Sequence, residues 1–295
     1  MHVFSGLLFP SPHTPGPPTP SHTHSPALRP LAGVAKALKK DFGKDELFVL
    51  EDSHPQIKMT SHKGMKVSIK GGIELSANQK ETTDTETFQL ECFGGKWALL
   101  CNTIKYWAVS DEGAVRAESK DAGPSSLFTV KWLDAKMALV APNGKLVSVQ
   151  GNNQLKACQD LVSDADIPAE CLFVYELINR PRLVLRGHYG FIGETPSGGL
   201  ECTKSQYETM KMHVTGGVCE ISNTAGKYWA VNDDRSKVTA TGSSKTPMYL
   251  EFVEDSKFAI RYRDSAGDTY YLQGDQNGAV NFLGTTINEF TLWEF

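Results

Sequence analysis

The sequence predicts an all-β protein: two tandem β-trefoil domains, each of three repeats of about 40 residues, after a disordered proline-rich N-terminal leader. Prolines are concentrated at the start of the chain, short alternating apolar strands fill the rest, and one turn-and-strand unit recurs along it. We expect a Pro/His/Ser-rich leader with a short linker helix at residues 1–42, one trefoil at 43–178 and another at 179–295.

The leader is marked by composition. Residues 1–30 hold eight of the fifteen prolines, mixed with Ser, Thr and His. Such a segment buries too little apolar surface to offset the entropy of ordering, so it is predicted to be disordered. Pro15 and Pro18 fit a PxxP ligand for an SH3-type partner, although an accidental match is the simpler interpretation. The spacing of Leu31, Val34, Ala35 and Leu38 predicts the linker helix.

The six repeats decide between two β architectures. A turn followed by a strand recurs six times, and a second strand ends about ten residues later in a small or apolar residue. These end residues are Ala77, Ala117, Ala157, Cys202, Ala240 and Phe282, at steps of 40, 40, 45, 38 and 42. Six such units fit a six-bladed propeller or two trefoils. The longest step separates the third unit from the fourth, and the Trp-Asp and Gly-His signatures of propeller blades are absent as a set, which favours two trefoils.

Composition and motifs exclude several classes of function. The 30 basic and 34 acidic residues give a net charge of −4, so no nucleic-acid partner is expected. No apolar run reaches the roughly 18 residues of a membrane span, so no membrane insertion is expected. The six cysteines form no CxxC pair, and we expect neither a metal site nor a cofactor. A nucleophile elbow, an HExxH helix and a phosphate loop are all missing, so the chain is not expected to be an enzyme.

Several short motifs follow one another in a fixed order: Lys44–Phe48, Leu75–Gln79, Glu86–Glu91, the Lys-Tyr-Trp motifs at Lys105 and Lys227, Leu177–Pro181, Arg186–Gly187, Gly190–Gly193 and Leu292–Phe295. Together they resemble the C-terminal half of the fascin family, over residues 43–295. The resemblance implies the third and fourth trefoils of a four-trefoil protein that packs actin filaments into parallel bundles. It also implies filamentous actin as partner and a cytoplasmic, cytoskeletal location in actin-rich protrusions.

Two departures from the family pattern are expected to weaken this activity. The chain is read as having only the third and fourth trefoils, whereas bundling needs at least two separate filament contacts on one rigid body. In addition, Glu194, Thr195 and Gln273 stand where family members tend to place basic side chains.

The resemblance points to five candidate actin-binding residues in the last trefoil. Arg186 and His188 lie in its first turn, and Lys257, Arg261 and Arg263 line a later strand and turn. They match the region that fascins use in the cleft between their first and fourth trefoils. Exposed cations there could pair with carboxylates of the acidic filament surface. The alternative is that each is an ordinary solvated surface charge.

Two other functions stay open. A truncated β-trefoil binding module could bind actin or another protein without bundling. A cytosolic lectin-like module would use Trp107 and Trp229 of the Lys-Tyr-Trp motifs to stack on sugar rings. Their recurrence at one place in the repeat favours a structural role instead, and the repeated Gln-x-Trp pattern of ricin-type lectins is missing.

Overall fold

The computed structural model describes residues 54–69 and 72–295. The predictions made for the leader, the linker helix and the PxxP segment lie outside the described residues. Within these residues the chain forms short antiparallel strands and three single-turn 3-10 helices. The all-β tandem trefoil fold is therefore confirmed, whereas the boundaries at 42/43 and 178/179 stay predictions.

The first trefoil contains twelve strands. They are β1 (Gln56–Ser61), β2 (Lys66–Ser68), β3 (Ser76–Gln79), β4 (Phe88–Phe93), β5 (Lys96–Cys101), β6 (Tyr106–Val109), β7 (Val115–Ser119), β8 (Thr129–Leu133), β9 (Lys136–Val140), β10 (Lys145–Val149), β11 (Leu155–Asp160) and β12 (Phe173–Leu177). The 3-10 helices Asp84–Glu86, Pro124–Ser126 and Ala169–Cys171 precede the last strand of each repeat.

Six of these strands close into a barrel. Strand β1 pairs with β12 and β4, β4 pairs with β5, and β9 pairs with β8 and β12. A bridge between Trp97 and Phe128 joins β5 to the start of β8. The remaining strands form the hairpins β2–β3, β6–β7 and β10–β11. A barrel of six strands with three hairpins is the β-trefoil arrangement, and closure leaves its barrel strands no open edge.

The second trefoil contains thirteen strands because its first barrel strand is interrupted. They are β13 (Arg182–Leu183), β14 (Arg186–Gly187), β15 (Gly190–Glu194), β16 (Leu200–Lys204), β17 (Met210–Thr215), β18 (Val218–Ser222), β19 (Tyr228–Val231), β20 (Val238–Gly242), β21 (Tyr249–Glu254), β22 (Lys257–Arg263), β23 (Thr269–Gly274), β24 (Val280–Gly284) and β25 (Leu292–Glu294).

The interruption divides the second barrel between two hydrogen-bonded sheets. Strand β13 pairs with β17, whereas β14 pairs with the last strand, β25. The bridge between Cys219 and Met248 joins β18 to the strand leading into β21, which completes the ring. The hairpins are β15–β16, β19–β20 and β23–β24.

The repeat ends predicted from the sequence lie in the core. All six are at most 3% exposed, and they belong to the third strand of their repeats: Ala77, Ala117, Ala157, Cys202, Ala240 and Phe282. Five of the six side chains are small, which suits positions where the hairpins of a trefoil converge.

The Lys-Tyr-Trp tryptophans are also core residues. Trp107 is 0% exposed and lies edge-on to Phe88, with ring centroids 4.9 Å apart, while Trp229 is 1% exposed. The structural interpretation of these aromatics is confirmed, since a ring buried in this way offers no face to a sugar.

A buried carboxylate organises the loop before β4. The Glu86 side chain accepts hydrogen bonds from Ser68 Oγ at 2.5 Å and Thr83 N–H at 2.7 Å. Burial by itself would raise the pKa of Glu86, but hydrogen bonds from Ser68, Thr83 and Thr85 outweigh it and hold the pKa below its ordinary value. Glu86 therefore stays ionised and fixes the single-turn helix against β2.

Candidate functional site

Four of the five predicted site residues lie in strands of one sheet of the second trefoil, and His188 lies in a turn of that sheet. Strands β14 and β22 both pair with β25, so Arg186 and Lys257 each face Glu294 across a strand pair. His188 follows β14 in its turn, and Arg261 and Arg263 lie farther along β22.

Arg186 is a solvent-exposed cation that is weakly paired. Its side chain is 61% exposed, and Nη1 lies 3.9 Å from Glu294 Oε2. The guanidinium carbon lies 5.8 Å from the ring centroid of Phe191. An exposed pair at this distance contributes little to stability, so Arg186 can leave Glu294 for another carboxylate at low cost.

His188 belongs to an aromatic cluster at the same rim. Its ring centroid is 4.8 Å from that of Tyr189 and 5.2 Å from that of Phe290, and these two rings stack at 5.8 Å. Glu289 Oε2 lies 3.6 Å from His188 Nδ1. The cluster holds the half-exposed imidazole in place, two residues after Arg186 in the chain.

Lys257 is partly exposed and belongs to the same surface. Its Nζ lies 2.9 Å from Glu254 Oε2, three residues earlier, across the β21–β22 turn. This local pair leaves the ammonium at the surface.

Arg261 has a different environment from the other four residues. It is only 9% exposed, and its Nη2 lies 3.2 Å from Asp134 Oδ1 of the first trefoil. Its Nη1 donates to the Trp132 carbonyl at 3.4 Å and lies 3.9 Å from Glu251 Oε2. The expectation of an exposed side chain is wrong for Arg261, because the neighbouring trefoil covers the outward face of β22 at this position.

Arg263 shares the same acid from a more open position. Its side chain is 45% exposed, and its Nη2 lies 2.7 Å from Asp134 Oδ2. Asp134 thus binds two arginines of the second trefoil, one through each carboxylate oxygen. Burial raises the pKa of the adjacent Glu251, and the charge of Arg261 offsets part of that shift.

These arginines are part of a continuous contact between the two trefoils. We call it the inter-trefoil seam, and it contains Trp132, Asp134, Ala135 and Tyr175 of the first trefoil and Gly217, Leu250, Phe252 and Arg261 of the second. The Trp132 ring lies between those of Tyr175 and Phe252, at centroid distances of 5.0 and 5.5 Å. The Tyr175 hydroxyl donates to the Leu250 carbonyl, and burial raises the pKa of Tyr175.

A glycine sets how closely the seam packs. Gly217 lies in the β17–β18 turn with φ +78°, and a Cβ there would lie 2.1 Å from the Ala135 carbonyl oxygen. Only glycine fits this approach, because both its backbone conformation and the lack of space exclude a side chain.

A second polar contact flanks the seam. Asp255 Oδ1 accepts the backbone N–H of Cys92 at 2.6 Å and lies 3.2 Å from His54 Nδ1. Sequence reasoning missed both Asp134 and Asp255. Asp134 lies in the turn between β8 and β9 with a φ of 53°, which Asp adopts more readily than most residues. The sequence can indicate such a turn but does not show that its carboxylate contacts the other trefoil.

The described residues contain no group of three or more His, Cys, Asp or Glu side chains arranged to bind a metal ion. The six cysteines are free thiols, and burial raises the pKa of Cys101 and of Cys171 to about 12. None of the helices in the described part of the chain has the length and apolar character required to cross a bilayer.

Two closed β-trefoils locked by a buried seam, with cations at an outer rim, define this chain as a tandem β-trefoil protein. A family model described as the fascin domain matches residues 61–167. Fascin-2 of Bos taurus is 32% identical over 256 residues, covering 86% of this chain and 50% of that protein. Fascin of Strongylocentrotus purpuratus is 32% identical over 275 residues, covering 89% and 52%. The chain belongs to the fascin family over the part that these matches cover, which confirms the resemblance predicted from the sequence.

The chain spans about half the length of the curated relatives it matches. Among solved structures, a mosquitocidal holotoxin aligns over 82% of this chain and 33% of its own, with 9% identity and a TM-score of 0.38. That likeness is too low to identify a fold.

Proposed function

We propose that this chain is a non-enzymatic, cytoplasmic protein of the cytoskeleton that binds actin filaments and crosslinks them into bundles in actin-rich protrusions. The observation that carries the proposal is the 32% identity to Fascin-2 over 86% of the chain. Filamentous actin as partner follows from the resemblance to fascins.

The seam supports crosslinking by a body of this size. Bundling requires two filament contacts whose separation is fixed, since a flexible link would not set the spacing between filaments. Arg261, Asp134 and Trp132 join the two trefoils through buried charge, a hydrogen bond and ring packing. Contacts on either trefoil would then move together.

The predicted site residues take different parts in this proposal. Arg186, His188 and Lys257, with the exposed part of Arg263, offer positive charge and aromatic surface to acidic groups of the filament. Arg261 acts indirectly, by holding the two trefoils in register.

A second candidate is a binding module that occupies a filament, or another protein, without bundling. Glu194, Thr195 and Gln273 favour it, because they stand where fascins tend to place basic side chains. The lectin-like alternative is disfavoured by the burial of Trp107 and Trp229. An SH3-type partner for the leader stays a prediction.

Co-sedimentation with filamentous actin tests the proposal. We expect pelleting at high speed, which reports binding, and at low speed, which reports bundles. The variant Arg186→Gln/Lys257→Gln should bind about tenfold more weakly, since it removes two charges that face the partner. The matched control Lys96→Gln/Lys120→Gln, at exposed lysines of the first trefoil, should bind like the unmodified protein.

High-speed pelleting without low-speed pelleting would support the binding module instead. Absence of pelleting at both speeds would contradict actin binding and leave only a module that binds another protein.

A further inference from the structure

Charged side chains that face each other across paired strands carry opposite charges, with one exception. In the described part of the chain, the facing pairs of Lys or Arg with Asp or Glu are Lys58–Glu176, Lys145–Asp160, Arg186–Glu294, Lys257–Glu254, Lys257–Glu294 and Arg116–Glu74. The exception is Arg182 of β13, which faces Lys211 of β17.

The two cations are held close together on the outer face. The neighbouring pair, Leu183 and Met210, is buried at 4% and 3% exposure, so the alternation of a strand directs Arg182 and Lys211 outward. The Met212 N–H donates to the Pro181 carbonyl at 3.0 Å, which makes Arg182 and Lys211 a non-hydrogen-bonded pair. Such pairs are the closer of the two kinds in an antiparallel ladder.

This arrangement costs stability unless an anion relieves it. Like charges directly opposite each other destabilise a sheet. Among the described residues, no carboxylate lies within the 4.0 Å ion-pair distance of either cation. Glu220, which faces His213 at the next outward pair, is already held by Lys245 with Nζ 2.6 Å from Oε2.

The rest of this face suits a protein ligand. Lys211 pairs with Ser222 of β18, which pairs with the half-buried Tyr228 of β19. Lys245, in the loop after β20, has its Nζ 5.7 Å from the ring centroid of Tyr228, so an aromatic ring and a further cation lie on this side of the sheet. A net charge of −4 and two facing cations do not make the extended basic track that a nucleic acid requires. One or two carboxylates would bridge the guanidinium and the ammonium with charge-assisted hydrogen bonds.

We propose that Arg182 and Lys211 form a binding site for a carboxylate-rich segment of a partner protein. The site lies on the sheet that contains β13 and β17, whereas the Arg186 and Lys257 surface lies on the sheet that contains β14 and β22. Binding replaces a repulsive pair by two attractive contacts, so the site is selective for acidic partners.

The test is the affinity of the full chain for a fluorescent oligoglutamate peptide, measured by anisotropy at low and physiological salt. We expect saturable binding that salt weakens. Arg182→Gln/Lys211→Gln should weaken it about tenfold, the effect of losing about one strong contact. Lys96→Gln/Lys120→Gln removes the same charge elsewhere and should change affinity by less than about twofold.

Thermal unfolding separates a lost site from a lost fold. Because the two cations repel each other, Arg182→Gln/Lys211→Gln should melt at the same temperature as the unmodified chain or higher. No binding by the unmodified chain, or an equal loss in the control variant, would overturn the proposal. The assay contains no actin, so its failure would leave the filament proposal standing.

Discussion

Two arginines of the second trefoil, Arg261 and Arg182, both project outward from the barrel core, yet they have opposite surroundings. Arg261 meets a carboxylate and a carbonyl of the first trefoil and is 9% exposed. Arg182 is exposed and faces another cation. What lies opposite each arginine decides its role. In the seam, Arg261 holds the two trefoils together. Arg182 lies on the outward side of β13 and β17, which we call the open face, and there it is free to bind the proposed partner.

The comparison therefore makes unequal predictions for stability. Charges in the seam should be costly to remove, since a buried charge that loses its partner is left uncompensated. Charges on the open face should cost nothing to remove, and their loss should appear only in binding.

The largest effect is expected for Asp134→Asn. This change leaves Arg261 and Arg263 without their shared carboxylate, and we expect a loss of about 3 kcal/mol in the free energy of unfolding, measured by urea denaturation. Asparagine tolerates the positive φ of 53° at this position, so the backbone should not add to the cost.

Asp160→Asn is the matched control for this prediction. Asp160 pairs with Lys145 within one trefoil, and its side chain is 74% exposed. An equal loss in both variants would show that the seam contributes no more than a surface pair.

Gly217→Ala should disrupt the packing of the seam by a steric clash, without removing any charge. The new methyl would meet the Ala135 carbonyl, which is backbone and cannot rotate away, so we expect about 2 kcal/mol of destabilisation beyond that of Gly216→Ala. Gly216 lies in the same turn with φ +59° and open space around its Cβ position. Equal melting temperatures for the two variants would contradict the packing described for the seam.

Glu86 is a buried charge whose hydrogen-bond partners all lie within the first trefoil, so it can be compared with the buried charges of the seam. Because its pKa is lowered on folding, its contribution is complete above the ordinary carboxyl pKa and is lost as pH falls through the folded value. Glu86→Gln should lower stability at neutral pH by about 1 to 2 kcal/mol and flatten the loss of stability on acidification. Urea denaturation across a pH series measures this dependence. An equal loss of stability at low pH in Glu86→Gln and in the unmodified chain would contradict the prediction.

The smallest effect is expected at the open face. Lys211→Glu converts the repulsive pair with Arg182 into an attractive one, so we expect stability to rise by about 0.5 kcal/mol. Lys120→Glu, at an exposed position of the first trefoil, serves as control and should change stability less. A decrease in the Lys211→Glu variant would mean that an acceptor for Lys211 already exists in the protein.

Much of the fold was predictable because the repeat leaves a local pattern. The small residues Ala117, Ala157 and Ala240 recur at nearly constant spacing and lie in equivalent hairpins. Alternating apolar residues likewise identified barrel strands such as β8 and β21. The interruption between β13 and β14 was not predictable, since it depends on which strands they pair with.

The site was less predictable, because it depends on contacts between distant parts of the chain. Arg261 alternates like a surface residue on β22, and nothing near it in the sequence shows that Asp134 of another domain covers it. Arg182 and Lys211 are 29 positions apart, and only the strand register brings them face to face. Period-2 alternation places each on an outer face but does not identify its neighbour.

The most direct test of the account is whether bundling depends on the seam. Actin is co-sedimented at low and high speed with the unmodified chain, Gly217→Ala and Gly216→Ala. The account predicts that Gly217→Ala loses low-speed pelleting while keeping high-speed pelleting, and that Gly216→Ala keeps both. Bundling that survives in folded Gly217→Ala, or is missing from the unmodified chain, would contradict it.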